Sequence, residues 1–376
     1  MSFEYYDKNP DIFYGDTVHV DMGEFYQAFL PFVRDGGKIL DVGCGSGRDL
    51  QKFKNLGYKP VGKDFPVFLH PQTKEEYALA RLERKVSVGY SGFEFDTSKT
   101  VTLEQDLSRR DLTINAIAQK KEGNGNLIDP YGGIEEIKLK KLRHVSDAFS
   151  EDPVRILRIA RFASQFHNLG FTIDQKTFDL IKKMVTSGEV DALVPERIFI
   201  ELCRAFESDM PSIFFEVLKG TGAYQRIFPM IKIIDDKNAQ LLDESTELSE
   251  VKFALLLYQQ NKEDIKELCD YLKCPKDFHQ IAELVSEWHS FAMDFMSHSS
   301  QDILSFYLNN DALRRQRRFE ILLTTFSYLE INTKPIIELL GLLKSIQISS
   351  LKNINIAQEI AEERLLVIAS FINSTK

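Results

Sequence analysis

From Asp152 to Lys376 the chain reads almost wholly as helix, and that property fixes more than half of the architecture. Val154, Leu157, Ala160 and Phe162 recur at helical spacing, as do Leu255, Leu256 and Tyr258 with their neighbours. The stretch has few glycines, no Gly/Ser linker and no repeat of fixed period. Its Phe-rich stripes have to be buried helix against helix, so an all-α body is expected. Before Asp152 the texture changes. Short apolar segments at Pro66–His70, Glu76–Ala80 and Thr113–Ala118 alternate with turn signals at Gly89, Gly92, Gly123-Asn124-Gly125 and Asp129-Pro130-Tyr131-Gly132-Gly133. These predict strands, and an α+β chain follows.

At 376 residues the chain has room for two or three domains of ~100–200 residues each. Its 43% apolar and 27% charged residues suit a globular protein and argue against wholesale disorder. The net charge of −9 excludes a histone-like coat but permits a local basic groove. Cys44, Cys203, Cys269 and Cys274 form no Cys-x-x-Cys pair and are too few for a disulfide framework, which points to reduced thiols in the cytoplasm. No run reaches ~18 apolar residues, so no membrane contact is expected. The acidic, aromatic start (Met1 to Asp16) does not read as a signal peptide.

The apolar run Lys38–Val42 suits a strand buried on both faces. A glycine loop, Gly43-Cys44-Gly45-Ser46-Gly47, follows it, then a helix over Arg48–Leu56. Such a loop serves either as a tight strand-to-helix turn or as a cradle whose N–H groups approach a ligand. With Tyr5-Tyr6-Asp7, Asp21-Met22 and Gly57-Tyr58, the string Ile39 to Leu50 resembles the start of S-adenosylmethionine-dependent methyltransferases. That resemblance implies a Rossmann-like β-loop-α segment over residues 1–62. Asp41, Gly43, Gly45 and Gly47 would hold the amino acid end of S-adenosylmethionine, and Asp64 its ribose. Further parallel strands to complete such a fold do not follow.

A second set of strings starts where the first stops. It comprises Gly62 to Gln72, Glu75 to Lys85, Gly89 to Phe93, Leu103 to Ala116, Ile128 to Tyr131, Leu142 to Val145, Glu151 to Arg161, and Pro195-Glu196-Arg197. In this order they resemble bacterial CCA-adding tRNA nucleotidyltransferases over residues 62 to 230. The resemblance implies a truncated nucleotidyltransferase head over 63–145, a helical neck with the nucleotide-binding motifs over 146–230, and a helical body and tail over 231–376. Its ligands are CTP, ATP, Mg²⁺ and the tRNA acceptor end. The string Gly57 to Asp64 satisfies both families, which points to a recombination through it.

Arg110, in Arg109-Arg110-Asp111, can grip a triphosphate bidentately or form a structural Arg–Asp pair. Asp111 and Asn115 read as loop-holding residues. Ser150 is a candidate N-cap for a helix opening at Glu151. Asp152 and Arg155, three apart, would share a face of it. A carboxylate that accepts and a guanidinium that donates can read the base edges of cytosine and adenine, and in the family this pair is the protein template. Arg158 and Arg161 continue the stripe toward phosphates, or form a solvated face. Arg314, Arg315, Arg317 and Arg318, and the run Lys138, Lys140, Lys141, Arg143, are candidates for tRNA phosphates or for ordinary charged surface.

The chemistry implied by this resemblance uses two metal ions held by an Asp-x-Asp on one strand face. The sequence contains no Asp-x-Asp. Glu76 stands where related enzymes place a further acid, and Glu94 with Asp96 has the right spacing in the wrong place. A nucleotidyltransferase by family, lacking its catalytic carboxylates, is expected. The absence of a His-Asp dipeptide leaves no phosphohydrolase activity to expect.

Overall fold

The computed structural model describes residues 22–43, 48–62, 64–69, 76–78, 80–85, 93–96, 100–120, 125–232, 234–346 and 356–375. They divide into two compact units, the first made of the described residues up to Arg109 and the second of those from Arg110 on.

In the first unit, α1 (Gly23–Phe29) precedes β1 (Lys38–Gly43), α2 (Arg48–Asn55) and β2 (Lys59–Gly62). β1 and β2 pair in parallel, Lys38 opposite Lys59, so the segment is a βαβ unit as expected. β3 (Asp64–Leu69) and β4 (Glu76–Ala78) complete a sheet of order β2-β1-β3-β4. Here the chain departs from a doubly wound fold, because β1 pairs antiparallel with β3, and β3 antiparallel with β4. The sheet runs across residue 62, so the residues on either side of the two resemblances share one layer. Phe25, Tyr26, Ile39 and Phe53 form the small core beside it. β5 (Leu82–Lys85) and β6 (Phe93–Asp96) make a separate antiparallel ribbon. α3 (Leu103–Ser108) opens on a capping box, in which Thr102 and Gln105 each satisfy the other's backbone N–H.

The second unit begins with two-residue strands, β7 (Ala118–Gln119) and β8 (Leu127–Ile128), then α4 (Gly133–Lys138) and β9 (Lys141–Leu142). The strand expected over Thr113–Ala118 is a correction. Thr113–Asn115 is a tight 3-10 turn, and only Ala118–Gln119 pairs as strand. Local side-chain bonds from Asp111 hold that turn, and they compete with a ladder. Gly133 fits against it, since a Cβ there would lie 2.2 Å from the Thr113 carbonyl oxygen.

Helices follow: α5 (Val154–Phe166), then β10 (Thr172–Ile173) pairing β9, α6 (Gln175–Ser187), α7 (Pro195–Phe206), α8 (Ser212–Thr221), α9 (Tyr224–Ile227), α10 (Asp236–Glu244), α11 (Ser249–Leu257), α12 (Lys262–Leu272), α13 (Lys276–Met293), α14 (Ser300–Asn309), α15 (Gln316–Tyr328), α16 (Lys334–Lys344) and α17 (Ile356–Thr375). Two apolar cores hold them. One joins α5, α7 and α8 through Ile156, Leu202 and Phe214, and the other joins α13 to α17 around Phe306, Phe319 and Phe326. No described helix is long and apolar enough to cross a membrane.

Candidate functional site

The arginine-rich strings meet in the second unit, on α5, α7 and the turn that precedes α4. α5 starts at Val154 rather than at Glu151, because Pro153 fixes the entry and biases Asp152 away from helix (φ −116°, ψ 105°). Ser150 therefore caps nothing. It sits in the 3-10 turn Asp147–Glu151 and donates to the Asp147 carbonyl at 2.8 Å. The Asp152 carboxylate instead accepts the Val154 N–H at 3.0 Å.

Asp152 and Arg155 consequently do not stand side by side on one helix face. Asp152 lies ahead of α5 and is gripped by both terminal nitrogens of Arg197, at 3.0 and 3.3 Å. Arg155 is buried and donates to the Ala148 carbonyl at 2.7 Å, tying α5 to the turn before it. Arg197 stands in the first turn of α7, after Pro195, so two sequence-distant strings converge on Asp152.

Arg158 and Arg161 are not a free stripe either. Arg158 Nε donates to Asp111 at 2.7 Å, and its Nη1 lies 3.8 Å from Glu201. Arg161 Nε donates to the other oxygen of Glu201 at 2.6 Å and packs over the Phe162 ring at 4.2 Å. Arg204, one turn on, donates to Glu201 at 3.0 Å. Three guanidiniums thus share two carboxylates, leaving one net positive charge. Glu201 is only 4% exposed and lies on the apolar face of α7 with Ile198, Leu202 and Ala205. A buried carboxylate of this kind needs partners.

Asp111 holds the network to the Arg110 turn. Its Oδ1 accepts the Leu112 N–H at 2.9 Å and the Asn115 amide at 3.0 Å, as expected of a loop-holding pair. Burial by itself raises the Asp111 carboxyl, but the Arg158 guanidinium and these hydrogen bonds outweigh it, so its pKa lies below the ordinary value. Burial likewise works against the Arg158 charge, and Asp111 more than offsets it. Arg110 is exposed and donates to the Asn115 carbonyl at 3.3 Å.

The other candidates are placed unevenly. Arg314, Arg315 and Arg317 are exposed around the start of α15. Arg315 lies 3.3 Å from Asp311, and Arg318 donates to the Asn310 carbonyl at 2.8 Å. Arg143 is paired with Glu136 (2.6 Å) and Asp174 (3.1 Å), while Lys138 and Lys140 are exposed. Gly45 and Gly47 lie outside the described residues. Asp41 and Gly43 lie in β1, Asp64 in β3, Glu76 in β4, and Glu94 and Asp96 in β6.

Residues 50–143 match the poly A polymerase head domain, and residues 170–234 the probable RNA and SrmB-binding site of polymerase A. The CCA-adding enzyme of Coxiella burnetii is 47% identical over 302 residues, spanning 79% of each chain. The chain belongs to the CCA-adding enzyme family. Among solved structures, a CCA-adding enzyme complexed with ATP superposes with a TM-score of 0.57 at 19% identity, over 97% of this chain and 90% of that one. The Thermotoga maritima CCA-adding enzyme complexed with tRNA does so with a TM-score of 0.51 at 17% identity, over 100% and 97%. These confirm the expected fold, a nucleotidyltransferase-type head followed by helices. The head match opens at residue 50, inside α2, so β1 lies ahead of it.

Reading by sequence missed Glu201 and Arg204 and did not assign Arg197 a partner. The signal for Glu201 was there: a lone carboxylate three residues after Ile198 and one before Leu202, on the apolar face of a helix.

Proposed function

We propose that this chain binds CTP, ATP and the tRNA acceptor end, and that it adds nucleotides to tRNA at a severely reduced rate. The observation that carries the binding half is the paired arginine network of α5 and α7 in a chain 47% identical to a CCA-adding enzyme. In this reading residues 146–230 select the nucleotide and residues 231–376 hold tRNA. Asp152, oriented by Arg197, offers acceptors to a base edge, and Arg155 would offer donors on exchanging its bond to the Ala148 carbonyl for the base. Arg110 and the net positive charge shared by Arg158, Arg161 and Arg204 draw the triphosphate. Arg314, Arg315 and Arg317 meet tRNA phosphates, with Arg318 bracing the helix start behind them. The reading carries with it a cytoplasmic location.

The family's chemistry calls for Mg²⁺, which would neutralise the triphosphate and activate the tRNA 3′-hydroxyl. The carboxylates of this site do not fit it. Asp111, Asp152 and Glu201 are each committed to guanidiniums, and the described residues contain no group of three His, Cys, Asp or Glu able to hold a metal. No Asp-x-Asp exists elsewhere in the sequence. A site of this composition keeps ground-state contacts and loses the part of binding realised only in the transition state.

Calorimetry with the four nucleoside triphosphates tests the binding half. CTP and ATP should bind more tightly than GTP and UTP, and equal affinities would sink the template reading. The same calorimeter tests S-adenosylmethionine, for which no heat is expected.

A further inference from the structure

Three of the four cysteines, dispersed in the sequence, come together in the second unit. Cys269 is in the last turn of α12, and Cys274 is the second residue beyond its end. Lys273 between them takes a left-handed conformation (φ 56°), which folds the chain back so that the Cys274 N–H bonds the Cys269 carbonyl at 3.0 Å. Helix ends closed in this way bring those two side chains into contact, usually as an apolar pair. Here both are cysteines, and Cys269 is near enough to raise the Cys274 thiol. Cys203, on α7, is close enough to act on Cys274 electrostatically. Cys269 is buried in the core, and Cys203 and Cys274 pack half-buried against it.

We propose that Cys269 and Cys274 are a thiol–disulfide exchange site that takes a low-molecular-weight disulfide as its oxidant. The half-buried Cys274 reacts first. Its thiol gives its proton to solvent, and the sulfur attacks one sulfur of the external disulfide, whose other half leaves as a thiolate. Cys269 then loses its proton and displaces the second small thiol from Cys274. Two protein S–H bonds are replaced by one S–S bond, and the external disulfide is reduced by two electrons to two thiols. A disulfide needs the two backbone positions close together, and the Cys274 N–H bonded to the Cys269 carbonyl holds them so. Cys203 stands outside the pair, on a different helix. The neighbouring Cys269, together with burial, raises the Cys274 thiol, and burial pushes Cys203 up to about 12. Exchange proceeds through the thiolate, so it is slow in the folded chain and is read at equilibrium.

The experiment equilibrates the folded full-length chain in glutathione buffers of increasing disulfide fraction. Alkylation of the remaining thiols and peptide mass mapping follow. The expected result is a Cys269–Cys274 cross-link with Cys203 still alkylated, preserved in Cys203→Ser. Cys274 in Cys269→Ser should stop at a mixed disulfide with glutathione. Phenylarsine oxide, which bridges close thiol pairs, should bind the untreated reduced chain and compete with the cross-link. This second readout does not depend on any variant folding. Cys269 and Cys274 both alkylated at the most oxidising ratio, or a cross-link through Cys203, would overturn the assignment.

Discussion

Two groups of arginines in this molecule show what position does to the same side chain. Around Glu201, the guanidiniums of Arg158, Arg161 and Arg204 are held by buried carboxylates, with charge-assisted hydrogen bonds as short as 2.6 Å. Around the start of α15, Arg314, Arg315 and Arg317 are exposed and lightly held, Arg315 by Asp311 at 3.3 Å. The first group is ordered before any ligand arrives, so its charges can act without reorganisation. The second keeps its hydration and its choice of rotamers, which suits phosphates spread along a backbone. Fixed charge gives geometry, and loose charge gives range.

The contrast breaks most sharply at Glu201. Glu201→Ala takes the carboxylate from the largely buried Arg161, while Arg158 keeps Asp111 and Arg204 is exposed to water, and should cost about 3 kcal/mol, read as a lower urea midpoint. A loss below about 1 kcal/mol would show that the arginines do not depend on it. Asp111→Asn should cost about 2 kcal/mol, less because Arg158 retains Glu201. It also changes the pH dependence. The Asp111 carboxyl is lowered in the folded chain, so its stabilisation is present above the unfolded carboxylate value of about 4. That stabilisation is lost as pH falls through the folded value. Between about pH 6 and pH 3 the wild type should lose more stability than Asp111→Asn, and equal losses would contradict the pairing.

Arg155→Ala should weaken CTP and ATP by ~1–3 kcal/mol while leaving GTP and UTP nearly unchanged. Equal losses for all four would remove Arg155 from base selection and leave it a phosphate ligand or the brace of the Ala148 turn. The smallest effect on stability belongs to the loose group. Changing Arg314, Arg315 and Arg317 to Glu should alter stability by no more than about 0.5 kcal/mol, read from the urea midpoint. The salt slope of tRNA binding should nevertheless fall by about 1 for each phosphate that is no longer neutralised. An unchanged slope would remove the cluster from the tRNA surface.

Much of the fold was legible because local signals agreed with one another. The apolar run at Lys38–Val42, the helix at Arg48 and the helical periodicity after Asp152 all match elements that begin within a few residues of those positions. The errors came where side chains overruled periodicity. Thr113–Ala118 has strand-forming residues, but Asp111 and Asn115 fold its first half into a turn. Ser150 and the acids after it suggest a helix start at Glu151, whereas Pro153 is the stronger signal. In the site, residue types were legible and pairings were not. Spacing suggests Asp152 with Arg155, yet the partner is Arg197, 45 residues away. Such a partner is set by the packing of α5 on α7, which periodicity does not encode.

The proposed function has this chain keep the binding groups of its family without the carboxylates that support its chemistry. Incubation of the purified chain with tRNA lacking its 3′ end, labelled CTP and ATP, and Mg²⁺ tests it most directly. Measurable nucleotide or tRNA affinity with little or no incorporation of CMP or AMP is the expected result. Incorporation at the rate of an enzyme with an intact carboxylate pair would contradict it, and would assign metal binding to Glu76 or to Glu94 and Asp96.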